Sequence, residues 1–331
     1  MQSVSAEKIR VGPRESIQTA IDLASPGDAI EVESGVYDES LEVTKKLSLV
    51  GLDTGKGAPK IISVTIVADN CELKGFEVSN SELFGIGVNS NSNKITDNKF
   101  ESCADCIILN DAHGNYVARN DARIICQGQG LPGLLGLMIG NGGDGIHLIN
   151  SINNTILNNS VSDGFIGIYL DHSDRNLIES NNAVDNSNGI GSYFSKGNTI
   201  KDNIIKRNAV DGIGFLKFSN GSIIRGNLVE SNGRYGIFFQ DSSHNLVYLN
   251  KLIRNNENVQ SKDVRSSGAI NQWNSTEPIT YLHGNKNFTG FLGNYWSDYL
   301  GKDINDDNIG DEPHRFNGGE DSYPLIKLLE N

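Results

Sequence analysis

The sequence lacks any apolar run that approaches the roughly 18 residues of a membrane-spanning helix. Its first ten residues also lack the apolar core of a signal peptide, although a chain that begins after a removed signal would look the same. We therefore expect no membrane insertion, and this absence does not argue against export.

Positive charge is scarce as well. The 28 Lys and Arg are outnumbered by 41 Asp and Glu, which gives a formal net charge of −13, and no Lys/Arg cluster occurs. Polyanions are held by concentrated positive charge. Nucleic acid and anionic membrane surfaces are therefore poor partners for this composition.

Long helical patterns are missing, and between Phe84 and Asn256 a repeat takes their place. Gly-Ile steps begin at glycines spaced 22, 22, 23 and 24 residues apart, namely Gly145, Gly167, Gly189, Gly212 and Gly236. Polar pairs five residues apart accompany them: Asn93/Asn98, Asn115/Asn120, Asn154/Asn159, Asn176/Asn181, Asn198/Asn203, Ser222/Asn227 and Asn245/Asn250. A fixed period of this length is typical of a stacked solenoid.

The segments inside each repeat are too short for helices and carry alternating aliphatic residues, which indicates strands. Leucine-rich, ankyrin and tetratricopeptide repeats would need helices in every unit. Three short strands per coil, each pairing with its copies about 4.8 Å away, make a single-stranded parallel β-helix. Asn suits the corners because it tolerates left-handed backbone and its amide can bond the next Asn of the column.

The remainder of the chain is predicted to close this all-β core. Residues 1–45 are expected to form an N-terminal cap, 46–270 the coils with an insertion at 127–143, and 271–331 a C-terminal cap. Ser16 to Ala24 predicts a short amphipathic helix, capped by Ser16 and ended by Pro26-Gly27. Such a helix would cover an open edge strand.

Only four cysteines occur, and two of them fall in register. Cys103 lies five residues after Asn98 and Cys126 six after Asn120. They are predicted to stack on adjacent coils, about 4.8 Å apart, within reach of a disulfide or as a reduced pair in the core. Cys103 and Cys106 resemble a metal or redox pair, but no second pair supports that interpretation.

The repeat also predicts which side chains share the outward face of one sheet. His147, Tyr169, Asp171 and Tyr193 should be neighbours there, with Asp144 and His172 at the margins. Aromatic faces beside carboxylate and imidazole groups favour a polysaccharide groove, while ordinary solvated surface is the alternative. The segment 127–143 is either a lid or protein contact, or an excursion that packs on itself.

An acidic loop near the C-terminus carries oxygen side chains at alternate positions, which is the pattern that hard cations prefer. The predicted calcium ligands are Asp303, Asn305, Asp307, the Ile309 carbonyl and Asp311. The loop departs from an EF-hand in having Asn308 in place of Gly and His314 in place of Glu. Copper is not favoured, because the six His fall in different registers and only two Met are present.

The chain resembles the carbohydrate-binding and sugar-hydrolase group of parallel β-helix proteins, in particular the NosD-like members of archaeal cell surfaces. The resemblance rests on Ser16–Ile21, Pro26–Asp28, Gly35–Tyr37 and Leu49–Gly51, which look like the first coils of pectin-lyase-like proteins, and on Asn271–Asn274, Gly293–Tyr299 and Tyr323–Leu325 at the tail. It implies an exported, right-handed β-helix. It brings no visible copper ligands.

Three functions remain in competition. The first is a calcium-stabilised, non-enzymatic cell-surface protein that binds glycan or has a structural role in a cell-surface layer, where its partners would include other surface proteins. The second is a polysaccharide lyase or uronate C5-epimerase that uses His147, Tyr169 and Asp171, with Arg175 and Lys217 as the nearest groups for a uronate carboxylate. The third is a NosD-like metal-delivery accessory protein.

Overall fold

The predicted coils are present in the computed structural model, which describes residues 6–79, 83–101, 104–124, 143–262 and 271–329. The chain divides into two compact units, Met1–Tyr169 and Leu170–Asn331, and the division falls inside the strand Ile166–Asp171. In each unit the chain passes repeatedly through three parallel sheets, which we call the first, second and third sheets. Among the described residues no helix is long and apolar enough to cross a membrane.

In the N-terminal unit every coil strand pairs in parallel with the strand of the next coil. The first sheet contains Lys8–Val11, Ala29–Val32, Ser48–Gly51, Glu72–Lys74, Lys94–Thr96, Tyr116–Ala118 and Thr155–Leu157. The second contains Lys60–Ile61, Glu77–Ser79, Lys99–Glu101, Asp121–Arg123 and Ser160–Ser162. The third contains Ser40–Val43, Ser63–Ile66, Phe84–Val88, Asp105–Asn110, Ile146–Ile149 and the start of Ile166–Asp171.

The C-terminal unit repeats the arrangement and adds two antiparallel hairpins. Its first sheet contains Leu177–Glu179, Thr199–Lys201, Ile223–Arg225 and Leu246–Tyr248. Its second contains Asn182–Val184, Ile204–Lys206, Leu228–Glu230, Lys251–Ile253 and Tyr295–Trp296, and its third Asn188–Tyr193, Ile213–Leu216, Tyr235–Gln240 and Glu257–Lys262. The hairpins are Ile279–His283 with Lys286–Gly290, and His314–Phe316 with Gly319–Asp321.

The asparagines form the predicted ladders. In the C-terminal unit Asn181 N donates to Asn203 Oδ1 over 2.8 Å, and Asn203 Nδ2 donates to Asn227 Oδ1 over 2.9 Å. Ser222 fills its column by accepting from Asn198 N over 3.1 Å. A further ladder, not predicted from the sequence, runs through Asn186, Asn208, Asn232 and Asn255. These bonds satisfy buried amides that would otherwise cost free energy.

The Gly-Ile steps have a steric cause. A Cβ atom at Gly212 would lie 2.6 Å from the carbonyl oxygen of Gly236, and one at Gly189 would lie 2.5 Å from that of Gly212. The following isoleucines stack in register inside the core, as Ile190, Ile213 and Ile237 do. The glycine therefore permits close approach of two coils, and the isoleucine fills the space between the sheets.

The N-terminal helix is confirmed at Ile17–Leu23. Ser16 caps it by accepting from Thr19 N, and Ile17 and Ile21 are buried. The coil sheets begin at Lys8, inside the segment expected to form a cap. The predicted domain boundaries stay predictions, and Cys103, Cys126 and all of the predicted insertion except Gly143 lie outside the described residues.

The tail motif holds the last coil around one buried carboxylate. Asn294 ends an asparagine ladder by accepting from Asn250 N over 3.1 Å. Asp321 accepts from Asn294 N over 2.7 Å, from Trp296 Nε1 over 2.8 Å and from Tyr323 N over 3.0 Å. Burial raises the pKa of Asp321 to about 6 despite these bonds. The motif of the family resemblance thus has a structural role.

Candidate functional site

The outward face of the third sheet in the N-terminal unit collects two carboxylates, an imidazole and a phenol. Asp105 begins the strand Asp105–Asn110, His147 lies in Ile146–Ile149, and Tyr169 lies in Ile166–Asp171. Asp144 directly precedes Gly145. Because alternate strand residues point outward, the coil register places these four groups side by side.

Both carboxylates are held by backbone amides. Asp105 Oδ1 accepts from Asp144 N over 2.6 Å, and Asp144 Oδ1 accepts from Ile166 N over 3.0 Å. Their second oxygens flank one imidazole nitrogen: His147 Nδ1 lies 3.7 Å from Asp105 Oδ2 and 3.5 Å from Asp144 Oδ2. The positions of the charges are therefore fixed by the fold.

The electrostatics of this cluster are unusual at Asp144. Burial is the main cause and the charge of Asp105 the second, and together they raise the pKa of Asp144 to about 7, although His147 acts in the opposite direction. A carboxyl group with such a pKa can take up or release a proton near neutral pH. Strongly shifted groups of this kind are common at functional sites.

One nitrogen of the His147 imidazole lies between the two carboxylates, and the other is buried without a hydrogen-bond partner among the described residues. The His147 ring lies 4.7 Å from that of Tyr169, with an angle of 32° between the planes. Its Nε2 atom is buried and finds no hydrogen-bond partner among the described residues. Such an atom normally has a partner, because leaving it unpaired costs free energy. The arrangement suits a bound polar group.

The other two predicted site residues lie in the C-terminal unit. Asp171 Oδ1 is 2.6 Å from His172 Nδ1, and the Tyr193 ring meets the His172 ring edge-on at 6.1 Å. His147 and Tyr169 are therefore in contact in the N-terminal unit. In the C-terminal unit Asp171 and Tyr193 both contact His172. Each pair is a candidate contact within its own unit.

Sequence reasoning missed Asp105 and placed Asp144 only at the margin of the face. Asp144 and Asp211 both stand directly before a Gly-Ile step, which was the available signal. Asp211 receives Arg234 Nη2 at 2.5 Å and Arg234 Nε at 2.9 Å. Asp144 instead faces a second carboxylate, Asp105, so the two positions differ in their partners.

The carboxylate oxygens of the acidic loop accept hydrogen bonds from backbone amides of the same loop. Asp303 accepts from Asp307 N and Asn308 N over 3.0 and 2.7 Å, and Asp311 Oδ2 accepts from Ile304 N over 2.7 Å. Asn305 Nδ2 donates to Asp307 Oδ2 over 2.9 Å. Within the described residues, the group whose ligand atoms all lie within 4.8 Å of one another is His283, Asp303 and Asp306. The predicted calcium set stays a prediction.

Comparison with protein families gives a match over most of the C-terminal half. The family described as "Periplasmic copper-binding protein (NosD)" matches residues 132–301, which is more than half of the 331-residue chain. No curated protein matches the sequence.

Solved structures share the architecture at low sequence identity. An alginate lyase from Paenibacillus sp. str. FPU-7 is 14% identical over 80% of this chain and 98% of its own, with a TM-score of 0.53. The pectate lyase Pel9A is 12% identical over 81% and 80%, with a TM-score of 0.53. The A-module of the Azotobacter vinelandii mannuronan C-5 epimerase AlgE6 is 14% identical over 77% and 86%, with a TM-score of 0.56. These matches confirm a right-handed, pectin-lyase-like parallel β-helix.

Proposed function

Because the chain belongs to the NosD family, we propose that it is an exported β-helix protein that binds a polysaccharide, and that it does so without catalysis at the cell surface. The family description places NosD in the periplasm, which supports export. The named activities of the lyases and the epimerase above concern polysaccharides. That makes a glycan the first partner to test.

One observation carries the proposal: the outward face of the third sheet offers aromatic rings beside polar side chains in both units. His147 and Tyr169 are in ring contact in one unit, and Tyr193 stands beside His172 and Asp171 in the other. Aromatic faces stack on the apolar faces of sugars, and the neighbouring carboxylate and imidazole groups bond hydroxyls.

The test is binding of polysaccharides by the full chain in affinity electrophoresis, with alginate, pectate and neutral glucans in the gel. Tyr169→Ala and Tyr193→Ala are expected to weaken retention about tenfold each, corresponding to about 1.4 kcal/mol. Thr199→Ala, on the first sheet, is the control and should bind as the wild type does. A wild-type chain that migrates unretarded in every gel contradicts the proposal.

We further propose that Ca2+ stabilises the acidic loop through Asp303, Asn305, Asp307, the Ile309 carbonyl and Asp311. The support is the density of oxygen atoms there and the anchoring of the loop by Tyr281, whose hydroxyl donates to Asp307 O over 2.6 Å. A chelator should lower the melting temperature and added Ca2+ should restore it. Asp307→Asn should abolish that response and Asp121→Asn, in the other unit, should leave it intact. A melting temperature that does not change when chelator is added contradicts the calcium proposal.

A second candidate function, a uronate lyase or C5-epimerase, is favoured by the Asp144–His147–Tyr169 cluster. Both reactions begin with removal of the C5 proton, which needs a base whose pKa is near the working pH. Among the described residues no Lys or Arg forms an ion pair within this cluster. The measurements are unsaturated-uronate absorbance and C5 proton exchange in deuterated water, with Asp144→Asn as the inactive control. If neither absorbance nor C5 proton exchange is detected with any polyuronate, the lyase and epimerase functions are excluded.

Copper delivery, the third candidate, does not fit the ligands in the described part of the chain. Cu+ prefers thiolate and thioether ligands. Cys71 and Cys106 are both buried, and the Cys71 thiol donates to the backbone oxygens of Lys45 and Ala68. The group of His283, Asp303 and Asp306 offers one nitrogen and two hard oxygens. If the purified chain does not bind Cu+, copper delivery is excluded as its function.

A further inference from the structure

One backbone position in the β-helix is left-handed in coil after coil. It is the first residue after a third-sheet strand, and φ there is 48°, 48°, 48°, 47°, 49° and 52° in six coils, at Asp111, Asn150, His172, Phe194, Lys217 and Asp241. Asp and Asn tolerate this conformation well, whereas a bulky side chain such as Phe adopts it at an energetic cost.

The residue types at this position change in the middle of the series. The outer coils use Asp111, Asn150 and Asp241, as the backbone prefers, and the middle coils use His172, Phe194 and Lys217. Phe218, directly after Lys217, is left-handed too, with φ of 60°. Arg119, Arg207 and Leu249 are left-handed at other corners, so what distinguishes this position is that three consecutive coils depart from Asp and Asn.

The exceptional residues and Tyr193 form one aromatic row in the C-terminal unit, made of His172, Tyr193, Phe194 and Phe218. The rings of His172 and Phe194 stack at 5.0 Å, and those of Phe194 and Phe218 lie 5.9 Å apart. Tyr193 stands perpendicular to Phe194, at 4.7 Å and 88°. The row is open to solvent, because the His172 side chain is 54% exposed and Phe218 41%.

The charges around the row balance. The turn segments 171–175, 193–197 and 216–218, together with residue 241, carry three acidic and three basic side chains: Asp171, Asp174, Asp241, Arg175, Lys196 and Lys217. Asp171 is engaged by His172, and Lys217 Nζ lies 3.3 Å from Asp241 Oδ2. With a net charge of −13 for the whole chain, nothing here concentrates positive charge for a polyanion.

We propose that the aromatic row is the contact surface for a neutral polysaccharide that runs along the coil axis. This inference rests on the proposed glycan-binding function and names its site and its substrate class. Successive rings follow the coil spacing of about 4.8 Å, which is comparable to the length of one sugar unit in an extended chain. Aromatic rings contact apolar sugar faces, and the paired Asp171 carboxylate and His172 imidazole bond the hydroxyls.

The decisive variant gives the middle coil the residue type of the outer coils. Phe194→Asn removes a ring and relieves the left-handed backbone, so we expect at least tenfold weaker binding of neutral glucan with an equal or higher melting temperature. Lys217→Asn makes the same backbone change one coil away and keeps every ring, so it should bind as the wild type does. A row that served only stability would instead lower the melting temperature in Phe194→Asn and leave binding unchanged.

The outcomes separate this inference from the function on which it rests. If the wild type binds neutral glucan and both Phe194→Asn and Phe218→Asn bind it equally well, the row is not the site, and the proposed function stands. If the wild type prefers alginate or pectate, the neutral class is wrong. If it retains no polysaccharide of either class, the proposed function fails first. Phe218→Asn also replaces Phe194→Asn as the test if the latter does not fold.

Discussion

Asp144 should make the protein less stable as the pH rises, and Asp144→Asn should remove that effect. The folded state raises the pKa of this carboxyl group from 3.8 to about 7. An acid with a raised folded pKa keeps its proton in the folded state after the unfolded chain has lost it. The contribution to stability is therefore complete below about pH 4 and is lost as the pH rises to about 7.

The size of the effect follows from the shift. Raising the pKa from 3.8 to about 7 corresponds to a loss of about 4 kcal/mol in the free energy of unfolding between acid and neutral pH. The side-chain amide introduced by Asp144→Asn would keep the oxygen that accepts from Ile166 N, which lies 3.0 Å away in the wild type, and would carry no charge. The new amide N–H groups have no acceptor provided for them, which offsets part of the gain. We therefore expect Asp144→Asn to raise the free energy of unfolding by about 3 kcal/mol at pH 8 and to change it little at pH 4.

The assay is urea unfolding of wild type and variant at both pH values, comparing the two proteins at each pH. Asp321 also contributes a pH-dependent loss in the same direction, since burial raises its pKa to about 6, but it is present in both proteins and cancels. Asp211→Asn is the matched control: it occupies the equivalent position and loses the bonds to Arg234, so it should be destabilised at both pH values. The reasoning is refuted if Asp144→Asn lowers stability at pH 8 or follows the control.

Three further substitutions, two of them with a matched control variant, test the framework of the coils. Asn203→Ala leaves the buried Asn181 N without its acceptor and should cost about 3 kcal/mol in urea unfolding, whereas Asn203→Ser, which imitates Ser222, should lose much less. Gly212→Ala forces a Cβ to 2.6 Å from a carbonyl oxygen and should cost more than about 2 kcal/mol, while Gly214→Ala, with no atom within 4 Å of its Cβ, should be nearly neutral in the same assay. Asp321→Ala leaves three donors without their acceptor, two of them buried, and should lower the melting temperature of the C-terminal unit by about 5 °C or more, as followed by Trp fluorescence.

The coils could be predicted because each repeated residue satisfies a requirement set by its own copy one coil away. An Asn at the corner bonds the next Asn, and a Gly at the start of the third-sheet segment leaves room for the carbonyl oxygen of the next Gly. Such requirements recur with the period, so they are visible in one sequence. The helix at Ile17–Leu23 was predictable for a local reason, namely its capping serine and its buried face.

The candidate site was less predictable, because it depends on which charged side chain lies beside a repeated residue in the folded chain. Asp144 and Asp211 look alike in sequence, and only the folded chain shows Arg234 on one and Asp105 beside the other. The acidic loop shows the same limit. Alternate spacing places oxygens near one another, but Asp303 directs both of its oxygens to backbone amides of the loop, because short polar side chains readily bond nearby backbone.

Asp144 and Phe194 both depart from the repeat, and each is expected to cost stability. Asp144 retains a carboxyl group whose ionisation is opposed by burial, and Phe194 retains a ring where the backbone favours Asn. A chain selected for folding alone would remove both costs by the single changes Asp144→Asn and Phe194→Asn. If both variants prove as stable as the wild type or more so, then the residues must be kept for contact with another molecule. Loss of stability in either variant would show that the wild-type residue stabilises the fold.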